Sequence, residues 1–212
     1  ESSLSEKLSV SVDESGRALA KATLAVRGAA FAPAYRREFQ AESTRKERFA
    51  AVLAERFLGS EIESIAFEGL GGLEGEVRVA YTAKISALGK AAGDRMTVAI
   101  DRGERLSEKY ALAAARHTSL VVGPARVVSR EAQIDGPSGF SVARLPEASR
   151  IETEFGSLTL DAVADGRGGV RISRRFELSV HEVAPAALPR FIEFCRRVDR
   201  ALAEPVVFER RP

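Results

Sequence analysis

Residues 76–87 read EVRVAYTAKISA. Val77, Val79, Tyr81, Ala83, Ile85 and Ala87 fall on one side of an extended chain, and polar residues occupy most of the other. That period of two predicts a strand with one buried face. The same rhythm recurs on both sides. Residues 7–12, KLSVSV, alternate apolar and polar, and Asp13-Glu14-Ser15-Gly16 has turn chemistry. Residues 17–27 continue as a second strand, so a hairpin is expected. Residues 63–70, ESIAFEGL, and residues 95–101 predict further strands.

Helical periods interrupt this pattern. Pro33 suits a first helical turn, and Phe31, Tyr35 and Phe39 recur at helical spacing. Residues 44–58 predict a longer helix. Thr44 and Glu47 stand at capping-box spacing, Phe49, Val52, Leu53 and Phe57 form one face, and Gly59 stands where a left-handed residue ends a helix. Residues 102–118, RGERLSEKYALAAARHT, break the strand rhythm and have room for a short helix.

Beyond them, residues 119–134 and 139–145 read as strands parted by Asp135-Gly136-Pro137. Strands at 150–155 and 157–164 follow, then the turn Asp165-Gly166-Arg167-Gly168-Gly169 and a strand over 170–180. Arg174 falls on the apolar side of that last strand, which predicts a partly open face or an ion pair there. A final helix is expected over 187–203, then a short strand, VVFE. Residues 7–40 and 157–195 share one order of elements (strand, acidic-glycine turn, strand, helix), the pattern of an internal repeat.

These elements predict a mainly β fold: antiparallel and sandwich-like, with two or three helices packed on the sheets. The expected organisation is a β-rich subdomain at 1–101, a connecting segment at 102–118 and a second subdomain at 119–212 carrying the C-terminal helix.

Composition narrows the function. A chain of 212 residues buries enough surface, roughly 70%, to fold without disulfides or metal. Its single cysteine forbids an internal disulfide, and no apolar run approaches the roughly 18 residues that span a membrane. The first residue is Glu1 rather than Met, so a processed or excised form is expected. The 32 basic and 30 acidic residues nearly balance. The arginine pairs are scattered and tryptophan is absent, unlike the concentrated charge and stacking aromatics of nucleic-acid grooves.

Cys195 is the one candidate nucleophile. Leu188, Phe191, Cys195, Val198 and Leu202 are spaced 3, 4, 3 and 4, a single buried helical stripe. A cysteine there behaves as a small apolar side chain. His181 precedes this helix, and only its approach to Cys195 would sustain a Cys–His hydrolase. His117 is the other histidine. No spacing of His, Cys and carboxylates suits zinc. The glycine run at 69–75 lacks the last glycine of a dinucleotide fingerprint, where Glu74 stands, and a strand follows it. Asp165 alone is far short of a calcium loop. No catalytic, cofactor-binding or metal-binding residue is assigned, and no cofactor is expected.

Five stretches carry a family resemblance. They are DESGRALAKATLAVRGAAFAPAYRREF (13–39), AAARHTSLVVG (113–123), GFSVARLP (139–146), SRIETEFGSLTL (149–160) and LPRFIEFCRRVDRALAEPVVF (188–208). In this order they resemble the C-terminal, non-catalytic region of bacterial transglutaminase-like proteins, itself a domain of unknown function. In that family the catalytic core lies upstream and uses Cys, His and Asp in that chain order. Here both histidines precede the only cysteine, so no catalytic residue carries over. The resemblance implies an accessory or interaction module, non-enzymatic, in the periplasm or at the cell surface. Its expected partners are the upstream domain of the same chain and a peptide or cell-envelope component. The competing class is a stand-alone carbohydrate- or peptide-binding sandwich, which an exposed cluster involving Tyr35, Tyr81 or Tyr110 would favour.

Overall fold

The computed structural model describes residues 2–72, 74–100, 105–110 and 117–211. The first half runs β1 (Ser3–Val12), β2 (Ala18–Arg27), α1 (Ala32–Phe39), α2 (Glu42–Arg56), β3 (Ser60–Glu68), β4 (Val77–Ile85), β5 (Gly89–Ala92) and β6 (Arg95–Val98). Then come α3 (Leu106–Tyr110), β7 (Leu120–Val121), β8 (Arg126–Asp135), β9 (Phe140–Arg144), β10 (Ser149–Thr153), β11 (Gly156–Ala164) and β12 (Gly169–Leu178). The chain closes with β13 (Glu182–Val183), α4 (Leu188–Leu202) and β14 (Val206–Arg210). The fold is mainly β, of the α+β kind, with several antiparallel sheets and no closed barrel.

Eight strands form one sheet in the order β10-β11-β12-β8-β1-β2-β4-β3. Its neighbours are antiparallel except at the centre, where β1 and β8 run parallel and Leu8 stands beside Ala132. The two segments flanking 102–118 thus share one continuous sheet. Of that connecting segment, residues 102–104 and 111–116 lie outside the described residues, and the short helix expected within it is α3.

Strict alternation gives this sheet two unlike faces. Leu4, Leu8, Val10 and Val12 of β1 are buried, and Ser5, Lys7, Ser9 and Ser11 between them are exposed. The buried face carries two apolar clusters. One joins the β1–β4 half to α2 and to the smaller sheet β5-β6-β14-β9 through Phe49, Leu53, Met96 and Phe208. The other packs β10–β12 under α4 through Leu158, Phe176, Phe191 and Phe194. The opposite face has no layer over it among the described residues, the arrangement of an antiparallel sheet with one wetted side.

Three local expectations are corrected. The helix expected from Thr44 starts at Glu42; its N-cap is Ala41, without a side-chain cap, and the Thr44 hydroxyl is buried without a partner, so no capping box forms. Arg45 instead closes the α1–α2 corner, donating to the Phe39 and Gln40 carbonyls at 2.7 and 2.9 Å. Val52, placed on the apolar face, is 46% exposed. The single strand expected over 119–134 is broken into β7 and β8, because Gly123 is left-handed (φ +93°) and Pro124 has no N–H to donate to a ladder.

The two acidic-glycine turns are alike in detail. Asp13 Oδ1 accepts from the Ser15 and Arg17 N–H groups at 2.8 and 3.0 Å. Asp165 Oδ1 accepts from Arg167 and Gly169 at 2.8 and 2.9 Å. In each, the aspartate N–H donates to the carbonyl four residues on, and a left-handed glycine stands third after the aspartate. These bonds hold both carboxyls below the usual aspartate range, led by the Ser15 hydroxyl at Asp13 and by the Arg167 N–H at Asp165.

Candidate functional site

Cys195 lies on the buried stripe of α4 and is 1% exposed, beside fully buried Phe191, Phe194 and Val198. Burial, with a smaller contribution from the nearby Asp199 carboxylate, pushes its thiol up to about 12. A nucleophile needs the opposite shift and access to solvent. The His181 ring is 3.0 Å from the Gly123 carbonyl, and the His181 carbonyl accepts from the Val122 N–H, so this residue fastens β7. His117 is exposed. The structure gives Cys195 a packing role, as its spacing predicts.

The described residues of the glycine run, 69–72 and 74–75, lie between β3 and β4 and are held from α1. Arg36 donates to the carbonyls of Gly69, Glu74 and Gly75 at 3.3, 2.9 and 2.9 Å. With those carbonyls turned to a cation, the loop is no cradle for phosphate. Among the described residues no three of His, Cys, Asp and Glu gather to hold a metal ion. No helix among them is long and apolar enough to cross a membrane.

The tyrosines decide against an aromatic sugar platform. Tyr81 and Tyr110 are buried, and half-buried Tyr35 packs on Phe39 with ring centroids 5.5 Å apart. Tyr81 and Tyr110 sit in different clusters, so the three do not form one exposed group.

Beneath the sheet lies a buried charge centre that composition alone does not reveal. Glu6, on the apolar side of β1, is 5% exposed and meets Arg56 of α2 and Arg130 of β8. Arg174 of β12, whose place in the alternation predicts a partly open face or an ion pair, occupies the same side, is 8% exposed and borders a small pocket with Glu6, Arg56 and Arg130. This centre borders a cavity of about 540 Å³ lined also by Tyr35, Tyr81 and Phe49. The Tyr81 hydroxyl is buried without a hydrogen-bond partner, and burial raises its pKa far above the ordinary tyrosine value.

Another concavity is on the other side of the sheet, a shallow trough of about 650 Å³ running across the open face. Small side chains floor it, among them Thr23, Ser64, Ala66 and Ala80, and Lys7, Lys21, Glu131 and Arg171 stand around it. A second hollow of about 390 Å³ continues it past Ser5, Ala25 and Arg78.

Comparison with known families adds one match. The sequence model of a domain of unknown function with a solved structure, DUF3858, covers residues 97–208, more than half of the chain. The chain belongs to the DUF3858 family. No curated protein matches it. The DUF3858 match runs from β6 to Phe208 of β14 and takes in the half of the large sheet that β8 and β10–β12 build. The strands β1–β4, with Lys7 and Lys21, lie outside the matched residues, while Glu131 and Arg171 lie within them.

Proposed function

We propose that this DUF3858 chain is a non-catalytic accessory and interaction module of a larger bacterial transglutaminase-like protein, working in the periplasm or at the cell surface. One observation carries the reading: an eight-stranded sheet packs one face against the core and presents the other, polar and concave, to solvent. Such a scaffold offers a partner a broad surface. The burial of Cys195 and the engagement of His181 with Gly123 support the non-enzymatic side of the reading. The transglutaminase-like context rests on the ordered resemblance of five stretches between residues 13 and 208. The partners it implies are the upstream domain and a peptide or cell-envelope component. With the tyrosines turned inward, a peptide suits the open face better than a neutral glycan.

An immunoblot of source cells with an antibody to this chain tests the reading. A band well above 22.8 kDa is expected. A band at 22.8 kDa in cells lysed directly into denaturant contradicts it.

A further inference from the structure

One row across the open sheet face stands out by its chemistry. The strand registers bring Arg171, Gln133, Ser9, Lys21, Thr82 and Ser64 side by side over β12, β8, β1, β2, β4 and β3. Every member has a side-chain donor and none is a carboxylate. The Gln133 amide is occupied, 3.0 Å from Asp165. Lys21 and Arg171 are exposed and, with Lys7 one row away, stand in no salt bridge among the described residues. Glu131 is the one carboxylate among the described residues lining this trough. Elsewhere on the same face Lys84 is matched by Glu63 and Arg27 by Glu76. Among its lining residues Lys7, Lys21 and Arg171 outnumber Glu131 over a floor of hydroxyls and methyl groups, while Asp135 and Asp165, at the Gln133 amide, stand outside the lining.

We propose that this trough binds an extended acidic peptide segment, which deepens the interaction-module reading and rests on it. Charge complementarity fixes the sign of the partner. Small residues such as Ala66 and Ala80 admit a peptide backbone, whereas no exposed aromatic side chain lines the trough for a sugar ring to stack on. The geometry also sets a spacing. Arg171 and Lys21 are three strand steps apart, about 14 Å at about 4.8 Å per step. An extended peptide advances about 3.3 Å per residue, so carboxylates four residues apart reach both cations.

The test is fluorescence anisotropy with a fluorescein-labelled Ser/Gly peptide carrying glutamates at positions i and i+4, titrated with the purified chain at low salt. Binding is expected, weakening as salt rises. The double variant K21E/R171E should lose about tenfold in affinity. R196E/R197E on the exposed side of α4 changes net charge equally and should lose less than about twofold. A peptide with its two glutamates adjacent should bind more weakly. No binding, equal loss in the two variants, or preference for an oligogalacturonate over the peptide overturns the proposal. Peptide-amide turnover by the chain would instead sink the interaction-module reading and leave the trough result standing, so the two failures are distinguishable.

Discussion

Both carboxylate oxygens of Glu6 lie 2.7 Å from Nη1 of Arg56, and Arg130 Nε is 3.3 Å from the second of them. This contact joins the central strand β1 to α2 and to β8 beneath the sheet. Charges taken this far from water cost several kcal/mol each unless they are paired. Glu6→Ala should therefore destabilise the fold by about 3–5 kcal/mol, because it removes the buried carboxylate that both Arg56 and Arg130 meet. Urea unfolding followed by circular dichroism measures it.

Asp199 of α4 reaches across to start α3. Its Oδ1 accepts from the Leu106 N–H and its Oδ2 from the Ser107 N–H, both at 2.8 Å. A residue remote in sequence thus supplies the N-terminal cap. Asp199→Ala should cost about 1 kcal/mol, the worth of a helix cap, and should speed amide exchange at Ser107 ahead of the sheet.

Cys195 makes a prediction in pH. Its folded pKa, pushed up to about 12, stands above the ordinary value of 9.0. Between these values the unfolded chain has released the thiol proton and the folded chain has not. The stabilising contribution is thus complete below pH 9.0 and is lost as pH rises toward 12. The wild-type melting temperature should fall more steeply than that of Cys195→Ala across this window. Cys195→Ala itself should cost about 1–2 kcal/mol at pH 7.

Two turn glycines should respond differently to alanine. Gly16 has φ +82°, and a methyl group there would sit 2.2 Å from the Gly89 carbonyl oxygen of β5. Its own carbonyl accepts from the Gly89 N–H at 2.9 Å, which ties the first hairpin to the small sheet. Gly166 has φ +74° with nothing within 4 Å. Gly166→Ala should cost about 1 kcal/mol, the left-handed penalty alone, and Gly16→Ala clearly more. Thermal denaturation of the two variants, side by side, checks the order.

Alternation and turn chemistry made most of the fold readable. The hairpin at Asp13, the strand at 77–85, the turn at Asp165 and the stripe through Phe191 and Cys195 are local patterns, and each is where its period predicts. The long-range pairings have no such signature. Nothing local states that β1 pairs in parallel with β8, since that contact depends on how the intervening strands fold back. At Thr44 the short motif misleads because the helix already begins at Glu42, which puts Thr44 inside the first turn rather than at its cap. The trough was hidden for the same reason. Arg171 and Lys21 are distant in sequence, and only the β12-β8-β1-β2 order sets them in one row. Its one advance signal was the polar half of each alternating strand.

The proposed module presents a surface and does no chemistry through Cys195. The most direct measurement is an assay of the purified chain and its Cys195→Ala variant for hydrolysis or crosslinking of glutamine-containing peptides. Neither protein should show turnover. Turnover by the wild type that disappears in Cys195→Ala would contradict this reading.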